Sequence, residues 1–166
     1  MPRKPSYTLK KTLGRDTSII IRQARPGDIP VMCGLLNDLF TLEPGFSPDK
    51  EKQAQGLRLL VDDPTGSSFV AVATKGNRVI GMGSVQRVVS TAEGGPAGLV
   101  EDIIVHKEFR GRGVGSSLLA RIIGWAGQKG ITRLQLLAAF NNTPALEYYE
   151  HRGWNRTSFI SLRKLL

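Results

Sequence analysis

Hydrophobic positions along the chain repeat with two periods, and the changes between them mark out its elements. Ile19-Ile20-Ile21-Arg22-Gln23-Ala24 is a β-branched run closed by Arg25-Pro26-Gly27, which predicts a short strand. Ile29, Cys33, Leu36 and Phe40 then recur at helical spacing. Asp28 is placed to cap that helix, and Pro30 is tolerable near its start. The helix should end before Pro44-Gly45, and Ser47-Pro48 should open a second one with an apolar face of Ala54, Leu57 and Val61. Asp62-Asp63-Pro64-Thr65-Gly66 closes it. Phe69 to Ala73 reads as a compact strand, Lys75-Gly76-Asn77 as a hairpin turn, and Arg78 to Val89 as the returning strand. Gly81 and Gly83 inside that strand imply a bulge or the close approach of another backbone. Thr91 to Gly98 reads as a glycine-rich loop, with a further strand from about Val100.

The period then returns to helical. Val114, Leu118, Leu119, Ile122, Ile123 and Ala126 predict a strongly amphipathic helix that stops at Lys129-Gly130. The apolar run Leu134 to Ala139 reads as a strand central in the sheet. Asn141-Asn142-Thr143-Pro144 starts a short helix running to Arg152-Gly153, and Trp154 to Leu162 reads as a last strand. The predicted order is β-α-α-β-β-β-α-β-α-β. It describes a mixed α/β domain with a six- to seven-stranded sheet and helices on both faces. Residues 18–166 would form it, after a basic, flexible tail at 1–17.

Composition narrows the class. A chain of 166 residues, 40% hydrophobic and 22% charged, suits one domain with a proper core. Cys33 is the single cysteine, so no intramolecular disulfide can form, and a reducing, cytoplasmic compartment is expected. Cys33 also lies on the apolar helix face, where a buried small hydrophobe is the expected role. No apolar run reaches the length of a membrane span, and no apolar segment of the secretory kind follows Met1. The net charge is +9, and Arg3, Lys4, Lys10, Lys11 and Arg15 supply five of those charges with no acid among them. Such a tail can dock on nucleic acid, although a solvated terminus is its ordinary state. The remaining excess suits a polyanionic cofactor. His106 and His151 have no partners at metal-ligand spacing, and no metal is expected.

The chemistry concentrates between Val100 and Ser116. An apolar strand leads into Arg110-Gly111-Arg112-Gly113-Val114-Gly115 and then into a helix, the grammar of an anion held by main-chain amides. The glycines let the backbone approach a phosphate, and Arg110 and Arg112 add positive charge beside it. A P-loop would need a lysine after its last glycine, but Ser116-Ser117 follow Gly115. A dinucleotide fingerprint begun at Gly111 would need glycine where Ser116 stands. The remaining pattern, Arg/Gln-x-x-Gly-x-Gly/Ala after a strand, is met at every position. It resembles the pyrophosphate loop of the GNAT superfamily of N-acetyltransferases. Asn142-x-x-Ala145-x-x-Tyr148-Tyr149-x-x-x-Gly153-Trp154 is similar to a second segment of that superfamily, with Tyr148 and Trp154 as aromatic variants. The resemblance runs from about residue 19 onward and is most specific between Val100 and Trp154.

The resemblance implies a function. Acetyl-CoA would be the cosubstrate, its acetyl group passing directly to a primary amine in a ternary complex. Arg110, Gly111, Arg112, Gly113, Val114, Gly115 and Ser116 would hold its pyrophosphate. Main-chain groups of Ile103, Ile104 and Val105 would meet its pantetheine arm, where two parallel strands splay. Asn142 would bond that arm or the local backbone. Tyr149, at the place of the family's tyrosine, would serve the departing thiolate. Glu101 is the expected base, because relatives such as the diamine acetyltransferases carry a similar Glu-Asp pair. Adjacent strand residues point to opposite faces, so only one of Glu101 and Asp102 is expected to face the acceptor.

The acceptor is less specified. The family builds its acceptor pocket from the first two helices, their loop and the mid-sheet strands, here about Leu39 to Phe46 and Val88 to Glu101. Glu43, Glu93 and Glu101 there favour a small cationic amine, while a protein N-terminus or lysine is the alternative. A non-catalytic acyl-CoA-binding domain and a nucleic-acid-associated protein are two further readings. The core domain has no helix–turn–helix and no RNA-reading aromatic motif, so nucleic acid and membrane are not expected partners. A homodimer is known among relatives and would be an analogy only.

Overall fold

A computed structural model describes residues 18–42, 45 and 47–165. The basic stretch 1–17, the loop residues Glu43 and Phe46, and the side chain of Leu42 lie outside that description. The elements follow the predicted order to the last helix: β1 (Ile19–Gln23), α1 (Ile29–Leu42), α2 (Lys50–Val61), β2 (Ser68–Lys75), β3 (Arg78–Ser90), β4 (Gly95–Val105), α3 (Val114–Gln128), β5 (Arg133–Leu136) and α4 (Thr143–Glu150). The sheet runs β1-β2-β3-β4-β5, antiparallel through β4, with β5 parallel to β4.

The sheet is covered on both faces. Residues of β2 alternate between the two sides, as strand geometry requires. Val70 and Val72 join Met32, Leu35, Leu36 and Leu57 of α1 and α2, with Met82 and Ile104 from β3 and β4. Phe69, Ala71 and Ala73 face the other way, onto Leu118, Ile122 and Trp125 of α3. Phe69 stacks on Trp125 with ring centres 5.5 Å apart. Burying each of these large side chains contributes about 2 kcal/mol, so α3 is held to the sheet firmly enough to fix the loop at its N-terminus. Cys33 is buried on the α1 face, where the periodicity put it.

Short-range chemistry fixes the ends of the elements. Asp28 accepts two hydrogen bonds from the Arg22 guanidinium, at 2.7 and 2.9 Å, and one from the Arg25 N–H at 2.7 Å. It therefore ties β1 to the single 3₁₀ turn before α1. The cap of α2 is Asp49, whose carboxylate accepts from the N–H groups of Glu51 and Lys52, two residues later than the Ser47-Pro48 pair suggests. Asp63 closes the α2–β2 connection by accepting from Thr65, Ser67 and Ser68.

The structure corrects several expectations. Trp154 to Leu162 forms no strand among the described residues, so the sheet has five strands and not six or seven. Residues Phe159, Ile160 and Leu162 of that segment are exposed, because β5 leaves only a short edge to receive them. β5 itself is an edge strand of four residues, not a central one. Arg133 and Gln135 alternate with the half-buried Leu134 and Leu136, the pattern of one buried face. β4 begins at Gly95, inside the predicted loop, because Gly95 to Gly98 pair with Arg87 to Ser90. Ile123 lies on the outer side of α3, and Trp125 fills the core in its place.

Candidate active site

Two departures from regular strand geometry shape the middle of the sheet. The β4–β5 ladder ends at Val100 opposite Leu136, while β4 continues to Val105 with β3 as its ladder neighbour. Ile103, Ile104 and Val105 therefore lie on a stretch of β4 that opens away from β5. The register between β3 and β4 also shifts, so that Ile104 faces Met82 while Glu101 faces Ser84, and two residues of β4 oppose Gly83 alone. Side chains would collide there. A Cβ at Gly83 would meet side-chain carbons of Ile103 and Ile122 at 3.1 Å, and one at Gly81 would stand 3.0 Å from the Ile104 carbonyl oxygen. The two glycines inside β3 thus mark a bulge and a close backbone approach, as the sequence implies.

The bulge rearranges the carboxylates. Asp102 is the one non-glycine residue with positive φ among the described residues, at 57°, a conformation that Asp tolerates better than most. Alternation is broken here, so Glu101 and Ile104, three residues apart, share the face covered by α1 and α2. Asp102 lines a cavity on that same side. The expectation that the pair points to opposite faces is overturned by this extra residue. Glu101 is exposed and accepts a 2.9 Å hydrogen bond from the Gln86 amide. Glu93 lies elsewhere, bound to Thr132 and Arg133 beside β5. Those two partners hold its carboxyl below the usual range.

The glycine loop sits where β4 ends. Gly111 and Gly113 have φ of 71° and 78°, and Gly113 is the N-cap of α3. The Ser117 N–H bonds to the Gly113 carbonyl at 3.0 Å, so the N–H groups of Val114, Gly115 and Ser116 precede it as helix-end donors. They border a cavity of about 320 Å³ lined by Val105, Phe109, Arg110 and the loop glycines. Nothing lies within 4 Å of a Cβ built on Gly111 or Gly113. Space, helix-end donors and positive charge thus coincide, which suits a phosphate. Arg110 donates from Nε to the Val105 carbonyl at 2.8 Å, joining loop to strand. Arg112 lies over the Phe109 ring, 5.7 Å from its centre.

Helix α4 closes the far wall. Asn142 caps it, accepting from the Ala145 N–H at 3.3 Å, so its side chain serves the local backbone. Tyr148 and Arg152, one turn apart, both line the cavity. Tyr148 donates to Ser116 Oγ at 3.2 Å, and Arg152 donates to the same oxygen at 2.8 Å while its guanidinium lies 3.7 Å from the Tyr148 ring centre. Sequence reasoning missed this pair: Tyr148 entered only as an aromatic variant of the motif and Arg152 as a helix end. Their i, i+4 spacing was the available signal. Tyr149 lies between Tyr148 and Trp154, edge-on to both, at 5.2 and 5.7 Å. Burial, and secondarily the neighbouring Tyr148, push its phenol up to about 12.

Comparison with known proteins places these features in a wider group. The family described as the acetyltransferase (GNAT) family matches residues 32–154. The aminoglycoside N(6')-acetyltransferase type 1 of Stenotrophomonas maltophilia is 31% identical over 143 residues, covering 84% of this chain and 88% of that protein. Among solved structures, a possible acetyltransferase from Clostridium difficile 630 superposes with a TM-score of 0.78 at 20% identity, covering 89% of this chain and 97% of the other. A predicted acetyltransferase with acetyl-CoA from Clostridium acetobutylicum gives 0.72 at 17% identity, covering 88% and 96%. At such identities the two structures speak for the fold.

Proposed function

The chain belongs to the acetyltransferase (GNAT) family and is an N-acetyltransferase, and from that premise we propose that it moves an acetyl group from acetyl-CoA to a small cationic amine. The observation that carries this reading is the juxtaposition of two open features. The cavity of about 320 Å³ at the N-terminus of α3 adjoins the end of β4 that β5 leaves unpaired. When bound, acetyl-CoA supplies an acetyl group activated as a thioester. Its pyrophosphate would be held by the N–H groups of Val114, Gly115 and Ser116, with Arg110, Arg112 and Arg152 adding charge. Main-chain groups of Ile103 to Val105 would align the pantetheine arm. Asn142 acts indirectly, by capping α4.

The amine must reach the thioester as a free base. Glu101 and Asp102, brought to one side of the sheet by the bulge, attract an ammonium and accept its proton, directly or through water. The nitrogen lone pair then forms the C–N bond as the C–S bond breaks, the electron pair leaves on sulfur, and the second nitrogen proton passes to water or to the thiolate itself. Tyr149 helps as a neutral donor. With its phenol near 12, well above a thiol at about 8.5, it stabilises the thiolate by a hydrogen bond and does not transfer its proton. This direct route needs no nucleophile from the protein, and Cys33 is buried in the α1 core. The relative from Stenotrophomonas maltophilia is named for aminoglycosides, which supports a polyamine-like or aminoglycoside-like acceptor over a protein N-terminus or lysine. The lone cysteine supports a cytoplasmic setting.

The test is release of free coenzyme A from acetyl-CoA across polyamines, aminoglycosides, amino sugars, amino acids and short peptides, with cofactor binding followed by thermal shift. Release with a cationic small molecule is expected. Stabilisation by acetyl-CoA without release from any of them would overturn turnover in favour of a binding-only domain.

A further inference from the structure

A second cavity, of about 310 Å³, lies between α1, α2 and the β4 bulge. Leu36, Phe40, Leu57 and Leu60 make most of its wall apolar. Five polar residues interrupt it: Ser47, Asp49, Lys52 and two more on which the chemistry turns. One is Asp102, held at φ 57° by the bulge. The other is Gln53, one turn before Leu57 on α2. Gln53 is 7% exposed, and neither its amide nitrogen nor its amide oxygen has a hydrogen-bond partner among the described residues.

A buried primary amide without partners is costly, and native chains carry few of them. A leucine at this position would simply extend the apolar face that Leu57 and Leu60 already form. The amide belongs instead to a residue lining an apolar chamber whose volume is at the small end for ligand sites, with both its polar atoms covered. Its two atoms ask for one acceptor and one donor, which a neutral amide or a hydroxyl supplies together. A charged group would be met by only half of it.

Resting on the acetyl-transfer reading above, we infer that Gln53 selects the acceptor: an amine on a short apolar chain that also carries a neutral amide or hydroxyl group. The ammonium lies at Asp102, the chain against Leu36, Phe40, Leu57 and Leu60, and the neutral polar group on Gln53. Lys52, which also borders the cavity, is answered by Asp49 at 3.8 Å.

Three probes of matched length test this on the full chain: pentylamine, 5-aminopentan-1-ol and 5-aminopentanamide. Coenzyme A release gives kcat/KM for each, and calorimetry with coenzyme A present gives Kd without turnover. The wild type should prefer the two polar probes to pentylamine by about tenfold or more in both measures. Gln53→Leu should lose that preference and melt no lower than the wild type, since no internal hydrogen bond is removed. Gln53→Met repeats the test with an unbranched chain if leucine does not fit. Equal use of all three probes by the wild type, including no binding of any, overturns the inference. So does a preference that survives in both variants. If the probes bind with the expected preference but no amine releases coenzyme A, the acetyl-transfer reading fails and the pocket assignment stands.

Discussion

Tyr148 and Ser116, thirty-two residues apart in the chain, meet through a 3.2 Å hydrogen bond that fastens α4 to the first turn of α3. Arg152 binds the same serine oxygen and lies against the tyrosine ring. One serine thereby gathers an aromatic wall and a cation beside the helix-end donors.

Arg152→Met should therefore weaken coenzyme A binding by roughly tenfold, as expected for losing one charge-assisted contact. Its turnover at saturating acetyl-CoA should stay close to that of the wild type. The salt dependence of the binding should fall as well, since one fewer cation faces the phosphates. Calorimetry at two ionic strengths checks this, and an unchanged affinity would remove Arg152 from the site.

Gly113 combines a φ of 78° with open space on its Cβ side. Gly113→Ala should cost about 1–2 kcal/mol through the left-handed backbone alone. Gly113→Val adds bulk pointing where a phosphate would lie, and should abolish cofactor binding while leaving a folded protein. Normal coenzyme A affinity in a folded Gly113→Val protein would sink the loop assignment.

Much of this geometry was legible in the residues. Helical and alternating periods located most of the elements, because those bury a continuous apolar face, while α4 was marked by its Asn142 cap and Pro144. The glycine loop was readable because the positive φ of Gly111 and Gly113 favours glycine. What the periods missed was set at longer range. The strand expected over Trp154 to Leu162 has the composition for pairing, yet pairing depends on how much edge β5 offers. Asp102 reads as an ordinary strand residue until the bulge opposite Gly83 turns it. The roles of Tyr148 and Arg152 depend on a serine on another helix. Gln53 carries no signal in the helical period, and only its burial without partners sets it apart.

Tyr149→Phe separates chemistry from binding. On the proposed mechanism its hydroxyl would donate to the leaving sulfur, so kcat should fall about 10²-fold or more, with acetyl-CoA affinity nearly unchanged. Because the phenol titrates near 12 in the folded chain against about 10 when unfolded, wild-type activity should show no loss from its ionisation up to about pH 11. Equal turnover in the variant would remove Tyr149 from the mechanism.

The Arg22–Asp28 pair makes a prediction about stability that is independent of the site. Asp28 is 9% exposed and accepts from two guanidinium nitrogens and one main-chain N–H. The Arg22 hydrogen bonds, more than the opposing effect of burial, hold its carboxyl below the usual range. An acid with a lowered folded value stabilises the fold fully above its unfolded value, near 4. That contribution fades as pH falls from there through the folded value. Asp28→Asn keeps the shape but loses the charge, and should cost about 2 kcal/mol at neutral pH. The gap between wild type and variant should narrow steadily below pH 4, because the wild type is then protonated too. Denaturant melts of both proteins from pH 7 to pH 2.5 check this, and a gap that stays constant across that range would show that the ion pair contributes nothing.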